Sequence, residues 1–191
     1  MNTSTKPRFS RHDALMVASE ICAILKPVCE RVIVAGSLRR KKQWVGDVEI
    51  LFIPKTETGP CPDDLFAMKT VSLAQVAIDG MRAANILAPR LNKDGGTCWG
   101  DKNKLALHAA SGVPVDLFSA TEENWFNYLV CRTGSAAHNV TIATRANQLG
   151  WKWNPYGSGF TQVGTGKCYQ VASEEDLFRF LDMQFKDPQD R

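Results

Sequence analysis

Asp47 and Glu49 stand two residues apart in VGDVEILFIP, a run that is otherwise apolar and β-branched. Acids at i and i+2 on a strand share one face. A third carboxylate, Asp116, lies inside a second apolar run, VPVDLF. Charges in such runs are costly to bury unless they are paired or metal-bound. If the two strands are neighbours the three anions converge, and at low dielectric they repel strongly. A divalent cation relieves that repulsion, and an all-oxygen ligand set selects Mg²⁺ over zinc. Mg²⁺ leaves coordination positions for substrate phosphates, which is the arrangement of two-metal phosphoryl transfer. The simpler alternative is a half-exposed strand whose acids face water, and for Asp116 taken alone that alternative is the better one.

What counts against the simpler alternative lies just upstream. Gly36-Ser37 ends a short β-branched run, and Arg39, Arg40, Lys41 and Lys42 follow at once. Glycine lets backbone N–H groups approach a phosphate closely, and serine adds a donor. A Gly-Ser pair alone is usually a turn, and a basic run alone is usually a solvated face. In the order Gly-Ser, arginines, Gly-Asp-x-Glu they supply phosphate donors, neutralising charge and metal ligands within 14 residues.

The elements that must position these groups are legible in outline. Ser10 reads as the N-cap of a helix with apolar residues at Leu15, Ala18, Ile21, Cys22 and Leu25. RVIVAGS is a strand stopped at Gly36, and Asp47–Ile53 is a second strand closed by Pro54. On that strand Asp47, Glu49 and Leu51 point to one face and Val48, Ile50 and Phe52 to the other. TETGPCPDD reads as a loop, Asp64–Leu87 as helical with a weak point at Gly80, and the stretch through VPVDLF as turns and short strands. A helix is expected from Thr121, with Glu122 and Glu123 in its first turn, and a second one ends at Gly150. Short strands follow, then a last helix capped by Ser173 with Leu177, Phe180 and Leu181 at helical spacing.

Composition bounds the classes. With 191 residues, 44% of them apolar, the chain suits one domain or two small lobes sharing a core. A net charge of +3 is mild, so nucleic-acid affinity must come from clustered cations. The six cysteines include no C-x-x-C pair and the three histidines are scattered, which argues against zinc and for free thiols in a reducing cytoplasm. The first residues, MNTSTKPRFSRHD, are polar and carry no apolar signal core, and no run of 18 apolar residues suggests a membrane span.

The motif GSLRRKKQWVGDVEI resembles the signature of family X, the nucleotidyltransferases of the DNA polymerase beta type, with the family's eleven-residue step from Gly36 to Asp47. Asp116 is similar to that family's third carboxylate. Thr133-Gly134-Ser135, seventeen residues on, resembles its thumb motif, and the likeness runs on through Asn139, Gly150 and Asn154 to Tyr156. The C-terminal SEEDLFRFLDMQFKDPQDR also looks like the end of that polymerase, while residues 55–112 are the least similar.

The resemblance implies an α+β fold: a nucleotidyltransferase palm with a mixed β-sheet flanked by helices over residues 1–120, and a small α/β thumb over 121–191. It implies a small DNA polymerase that adds dNTPs to a primer 3′-hydroxyl, with template-directed gap filling in repair as the role. Asp47 and Glu49 would hold two Mg²⁺ ions, with Mn²⁺ as a substitute, and Asp116 would complete the site. Gly36, Ser37, Arg40, Gly46 and Arg8 would meet the triphosphate. Gly134 and Ser135, joined by a cis peptide, and Asn139 would border the nucleotide. Primer-template or gapped DNA would be gripped by surface cations, chiefly Arg39, Lys41, Lys42 and Arg145, with Lys102, Lys104 and Lys152 in support. The compact plan suits a monomer in the cytoplasm and a virus- or phage-encoded enzyme. A template-independent tailing enzyme and a catalytically lapsed nucleic-acid-binding module are the alternatives.

Departures from the family pattern matter as well. The second carboxylate is Glu49 where the family has Asp, one methylene longer. Val45 replaces a phosphate-contacting serine, Cys131-Arg132 an aromatic pair, and Ala143 a thumb arginine, so looser ribose discrimination and modest fidelity are expected. About nine residues precede the first helix, so no lyase domain and no deoxyribose-phosphate lyase activity are expected. Trp125 and Trp151 read as packing residues, Trp44 as the tryptophan best placed to stack on a base, and Cys131 as a packing residue.

Overall fold

The computed structural model describes residues 7–61 and 64–191. The first six residues of the polar N-terminal segment lie outside the described residues, as do Pro62 and Asp63 of the predicted loop. In chain order the elements are β1 (Phe9–Ser10), α1 (Arg11–Leu25), β2 (Cys29–Val34), α2 (Gly36–Arg39), β3 (Trp44–Val45), β4 (Val48–Pro54), β5 (Thr56–Cys61), β6 (Asp64–Ser72), α3 (Leu73–Ala83), β7 (Leu87–Pro89), β8 (Asn103–His108) and β9 (Pro114–Ser119). Then follow α4 (Trp125–Thr133), α5 (Ala136–Gln148), β10 (Trp151–Trp153), β11 (Gly159–Gln162), β12 (Cys168–Gln170) and α6 (Glu174–Phe180).

A five-stranded sheet of order β2-β4-β9-β8-β7 carries the first part of the chain. Only β4 and β9 run parallel, so the sheet is mixed as expected. The alternation read on β4 holds. Val48, Ile50 and Phe52 join α1, α3 and the β9 residues Val115 and Leu117 in one core. Leu51 and Ile53 face the other way, where they meet Phe118 and the α4 residues Trp125, Tyr128 and Leu129 in a second cluster. A third cluster joins α4, α5, α6 and the β10-β11-β12 sheet around Ile142, Phe160, Leu177 and Phe178. The chain is thus α+β, and the odd face of β4 looks toward α4.

Local chemistry explains the ends of the helices. The Ser10 hydroxyl accepts from Asp13 N at 3.1 Å and the Ser173 hydroxyl from Asp176 N at 3.0 Å, which satisfies N–H groups that a first turn leaves without partners. Gly150 follows α5 with φ +77°, a conformation glycine adopts at low cost.

Several expected boundaries shift. Leu15 is exposed, because α1 buries the stripe Ala14, Val17, Ala18, Ile21, Cys22 and Leu25, which lies to one side of it. The segment read as a loop and a long helix instead forms the antiparallel β5–β6 hairpin, and the helix begins only at Leu73, where the Ser72 hydroxyl accepts from Gln75 N. The helix expected from Thr121 starts at Trp125, because the Asn124 side chain accepts from Thr121 N at 2.8 Å and closes a turn first.

Candidate active site

Glu49 on β4 is in register with Asp116 on β9. On adjacent parallel strands this puts both carboxylates on the same face, the one that looks toward α4. Asp47 precedes the strand by one residue. The sheet therefore sets side by side the strands that carry Glu49 and Asp116, with Asp47 just before the first of them.

Their side chains do not yet share one point. Among the described residues no three His, Cys, Asp or Glu side chains gather closely enough to hold a metal ion. Asp116 accepts from Arg90 Nη2 at 2.6 Å. Glu49 turns instead toward Gly36, and a Cβ at position 36 would collide with its carboxylate. Gly36 also has φ +59°. Glycine is needed there twice over, for its backbone conformation and for the space the longer Glu49 side chain fills.

At Glu49 and Asp116 burial outweighs the nearby arginines. Burial, reinforced by Asp47, pushes the Glu49 carboxyl up to about 8; Arg132 offsets part of this, Asp116 adds to it, and Arg40 also opposes it. Burial likewise raises Asp116 above its ordinary value, although Arg90 and Arg132 oppose the shift. Glu49 and Asp116 thus both resist ionisation, and a hard divalent cation bound to their oxygens would favour the charged forms.

A cavity of about 580 Å³ opens at Gly46, the residue before Asp47. Arg8, Ser37, Arg40 and Gly46, four of the five residues expected at a triphosphate, line it together with Lys42 and Trp44. The Ser37 hydroxyl and Arg40 Nε are buried with no hydrogen-bond partner. Such atoms are costly to leave unpaired and suit a polar ligand. The fifth residue, Gly36, lies under Glu49 instead.

The thumb motif abuts this cavity. Arg40 donates through Nη1 to the Thr133 carbonyl. The Gly134–Ser135 peptide is cis, as expected. Ser135 caps α5 by accepting from His138 N at 3.3 Å. Asn139 donates to the Cys131 carbonyl at 2.9 Å and leaves its Oδ1 buried without a partner.

Three cations expected at DNA have other duties. Arg39 is paired with Glu174 at 2.6 Å and donates to the Thr133 hydroxyl, in a network that Arg191 completes from the other side of Glu174. Arg145 donates to the Leu181 carbonyl at 2.9 Å and so satisfies the end of α6. Lys104 is 2% exposed and donates to the Gly100 carbonyl at 2.8 Å. Lys41, Lys42, Lys102 and Lys152 are exposed.

Sequence reasoning missed two arginines. Arg90 is 26 residues from Asp116, and only the pairing of β7, β8 and β9 brings it near. Arg132 was noted only as a replacement for an aromatic residue. Its guanidinium lies 3.5 Å from the centroid of the Phe118 ring and within 5.3 Å of the Tyr156 ring, and Nη2 donates to the Tyr128 hydroxyl at 3.3 Å. The one available signal was a cation in an otherwise apolar helix, FNYLVCR. Cys131 is half-buried and burial pushes its thiol up to about 11, consistent with packing. Trp125 and Trp151 pack, the first in the cluster under α4 and the second edge-on to Phe180.

Residues 128–191, about the last third of the chain, match the family described as DNA polymerase beta thumb. The match makes the C-terminal third a thumb of the DNA polymerase beta type and supports a family X DNA polymerase-like protein. Among the described residues no helix is long and apolar enough to cross a membrane.

Proposed function

We propose that this family X DNA polymerase-like protein is a small template-directed DNA polymerase that fills gaps by adding dNTPs to a primer 3′-hydroxyl. One observation carries the reading: Arg40 lines a cavity with Arg8, Ser37 and Gly46, feels the charge of Glu49, which is in register with Asp116, and donates to Thr133 of the polymerase-type thumb. Palm residues 1–120 would carry the chemistry and thumb residues 121–191 the nascent base pair.

In the reaction the primer 3′-oxygen bonds the α-phosphorus, the bond from that phosphorus to the β-phosphate oxygen breaks, and pyrophosphate leaves. Arg8, Arg40 and Lys42 neutralise the triphosphate, and the Ser37 hydroxyl and Gly46 backbone bond its oxygens. Asp47, Glu49 and Asp116 would hold two Mg²⁺ ions, which when bound supply Lewis-acid stabilisation of the phosphoryl charge and lower the proton affinity of the 3′-hydroxyl. Asp116, oriented by Arg90, accepts the hydroxyl proton. Asn139 borders the incoming base.

The test is primer extension on one-nucleotide-gapped DNA and on single-stranded DNA, with each dNTP separately and Mg²⁺ or Mn²⁺. Insertion of the matched dNTP into the gap is expected. Equal use of all four dNTPs on single-stranded DNA would instead mark a tailing enzyme, and no incorporation on either substrate would mark a lapsed binding module.

A further inference from the structure

The triphosphate cavity has an end that a triphosphate leaves unexplained. On the β1–β3 ribbon, Phe9 pairs with Val45 and Ser10 with Trp44. Val45 is 1% exposed and Phe9 packs against the same core, so strand alternation turns Trp44 outward, where it is 57% exposed. Arg11 fixes the ribbon against the site, since Nη1 donates to the Leu38 carbonyl at 2.7 Å and N to the Gln43 carbonyl at 2.9 Å. The indole thus sits on a braced element and lines the same cavity as Ser37, Arg40, Arg8 and Lys42. Its volume falls in the range of pockets that take ligands larger than a phosphate chain. An exposed indole that shares a cavity with Arg8, Lys42 and buried donors without partners suits an aromatic ring joined to phosphates.

We propose that the cavity runs past the terminal phosphate of the nucleotide and that Trp44 stacks a second base carried on that phosphate, so that dinucleoside polyphosphates serve as nucleotide donors. The proposal rests on the nucleotidyl-transfer reading above. With thymidine–tetraphosphate–adenosine, in which the thymidine is the deoxynucleoside, the primer 3′-oxygen bonds the phosphorus next to thymidine. The bond from that phosphorus to its bridging oxygen breaks and ATP leaves in place of pyrophosphate. The hydroxyl proton passes to Asp116 and then to solvent, and nothing is oxidised or reduced.

The experiment compares this donor with dTTP on gapped DNA bearing a template adenine, following primer extension and ATP release. The intact protein is expected to use the dinucleoside donor at least as efficiently as dTTP. Trp44→Ala is expected to lower the ratio of the two kcat/KM values about tenfold, the order expected for one lost stacked base, and Trp44→Phe to preserve it. Use of dTTP with no use of the dinucleoside donor, or a ratio that Trp44→Ala leaves unmoved, overturns the proposal. An unmoved ratio with weakened DNA affinity in Trp44→Ala does so too, and assigns the indole to DNA. No incorporation from dTTP overturns the function beneath the proposal.

Discussion

Asp176 at the start of α6 and Glu49 on β4 are both carboxylates drawn away from water, and they differ in every other respect. Burial works to raise Asp176, but Ala172 N at 3.0 Å, Arg179 at 2.6 Å and the Tyr169 hydroxyl at 2.8 Å all donate to it, and its pKa ends below the ordinary value. No donor reaches the Glu49 carboxylate among the described residues, and its pKa climbs to about 8. The thumb residue is built to stay charged and to hold a helix. Glu49 is held at a cost to the resting fold, and under the proposed function a metal ion would supply the missing partner. Places where a chain leaves such local conflicts standing are where function is expected.

Two substitutions should move stability in opposite directions. Asp176→Ala strips the acceptor from a backbone N–H, a guanidinium and a phenol, and should lower stability by about 3 kcal/mol in urea denaturation at pH 7. Glu49→Gln should raise the stability of the metal-free protein at pH 7, by on the order of 2–3 kcal/mol. The sign follows from linkage: Glu49 keeps a proton in the fold that the unfolded chain releases between about pH 4.5 and 8, so metal-free stability falls as pH rises through that window. Glu49→Gln removes this slope. Equal destabilisation by both changes would break the contrast.

Acid sharpens the contrast further. His138, stacked on Phe178 with its Nε2 buried and without a partner, is held down to about 4, by burial first and then by Arg191 and Lys186. A histidine with a depressed folded pKa loses stability as pH falls from about 6.5 toward 4, here about 2 kcal/mol between pH 7 and pH 5. Thumb amides should therefore lose hydrogen-exchange protection on acidification, and His138→Gln should flatten that loss. Arg145→Leu, which leaves the Leu181 carbonyl without its donor, should cost about 1 kcal/mol and leave DNA affinity unaltered, since its charge is engaged at α6.

The parts of the fold written in short-range chemistry were legible. The alternation on β4, the caps at Ser10 and Ser173 and the turn at Gly150 each depend on residues within a few positions of one another. The β5–β6 hairpin was not, because Gly59 and Pro60 read as breakers while its stability rests on cross-strand pairs such as Thr58 with Thr70. In the site, residue types and spacing marked the carboxylates, Ser37 and Arg40. They could not show that Arg39, expected at DNA, is engaged elsewhere, because its partner Glu174 is more than a hundred residues away. Arg90 was hidden for the same reason, and the notch at Gly36 shows its second purpose only when Glu49 is seen filling it.

The most direct test of nucleotidyl transfer at these carboxylates is single-turnover extension of a gapped primer by the intact protein and by Asp116→Asn, with urea denaturation run on both. Extension by the intact protein and a loss of at least about a thousandfold in Asp116→Asn, with the unfolding midpoint little changed, is the expected result. Extension by Asp116→Asn at the rate of the intact protein would contradict it.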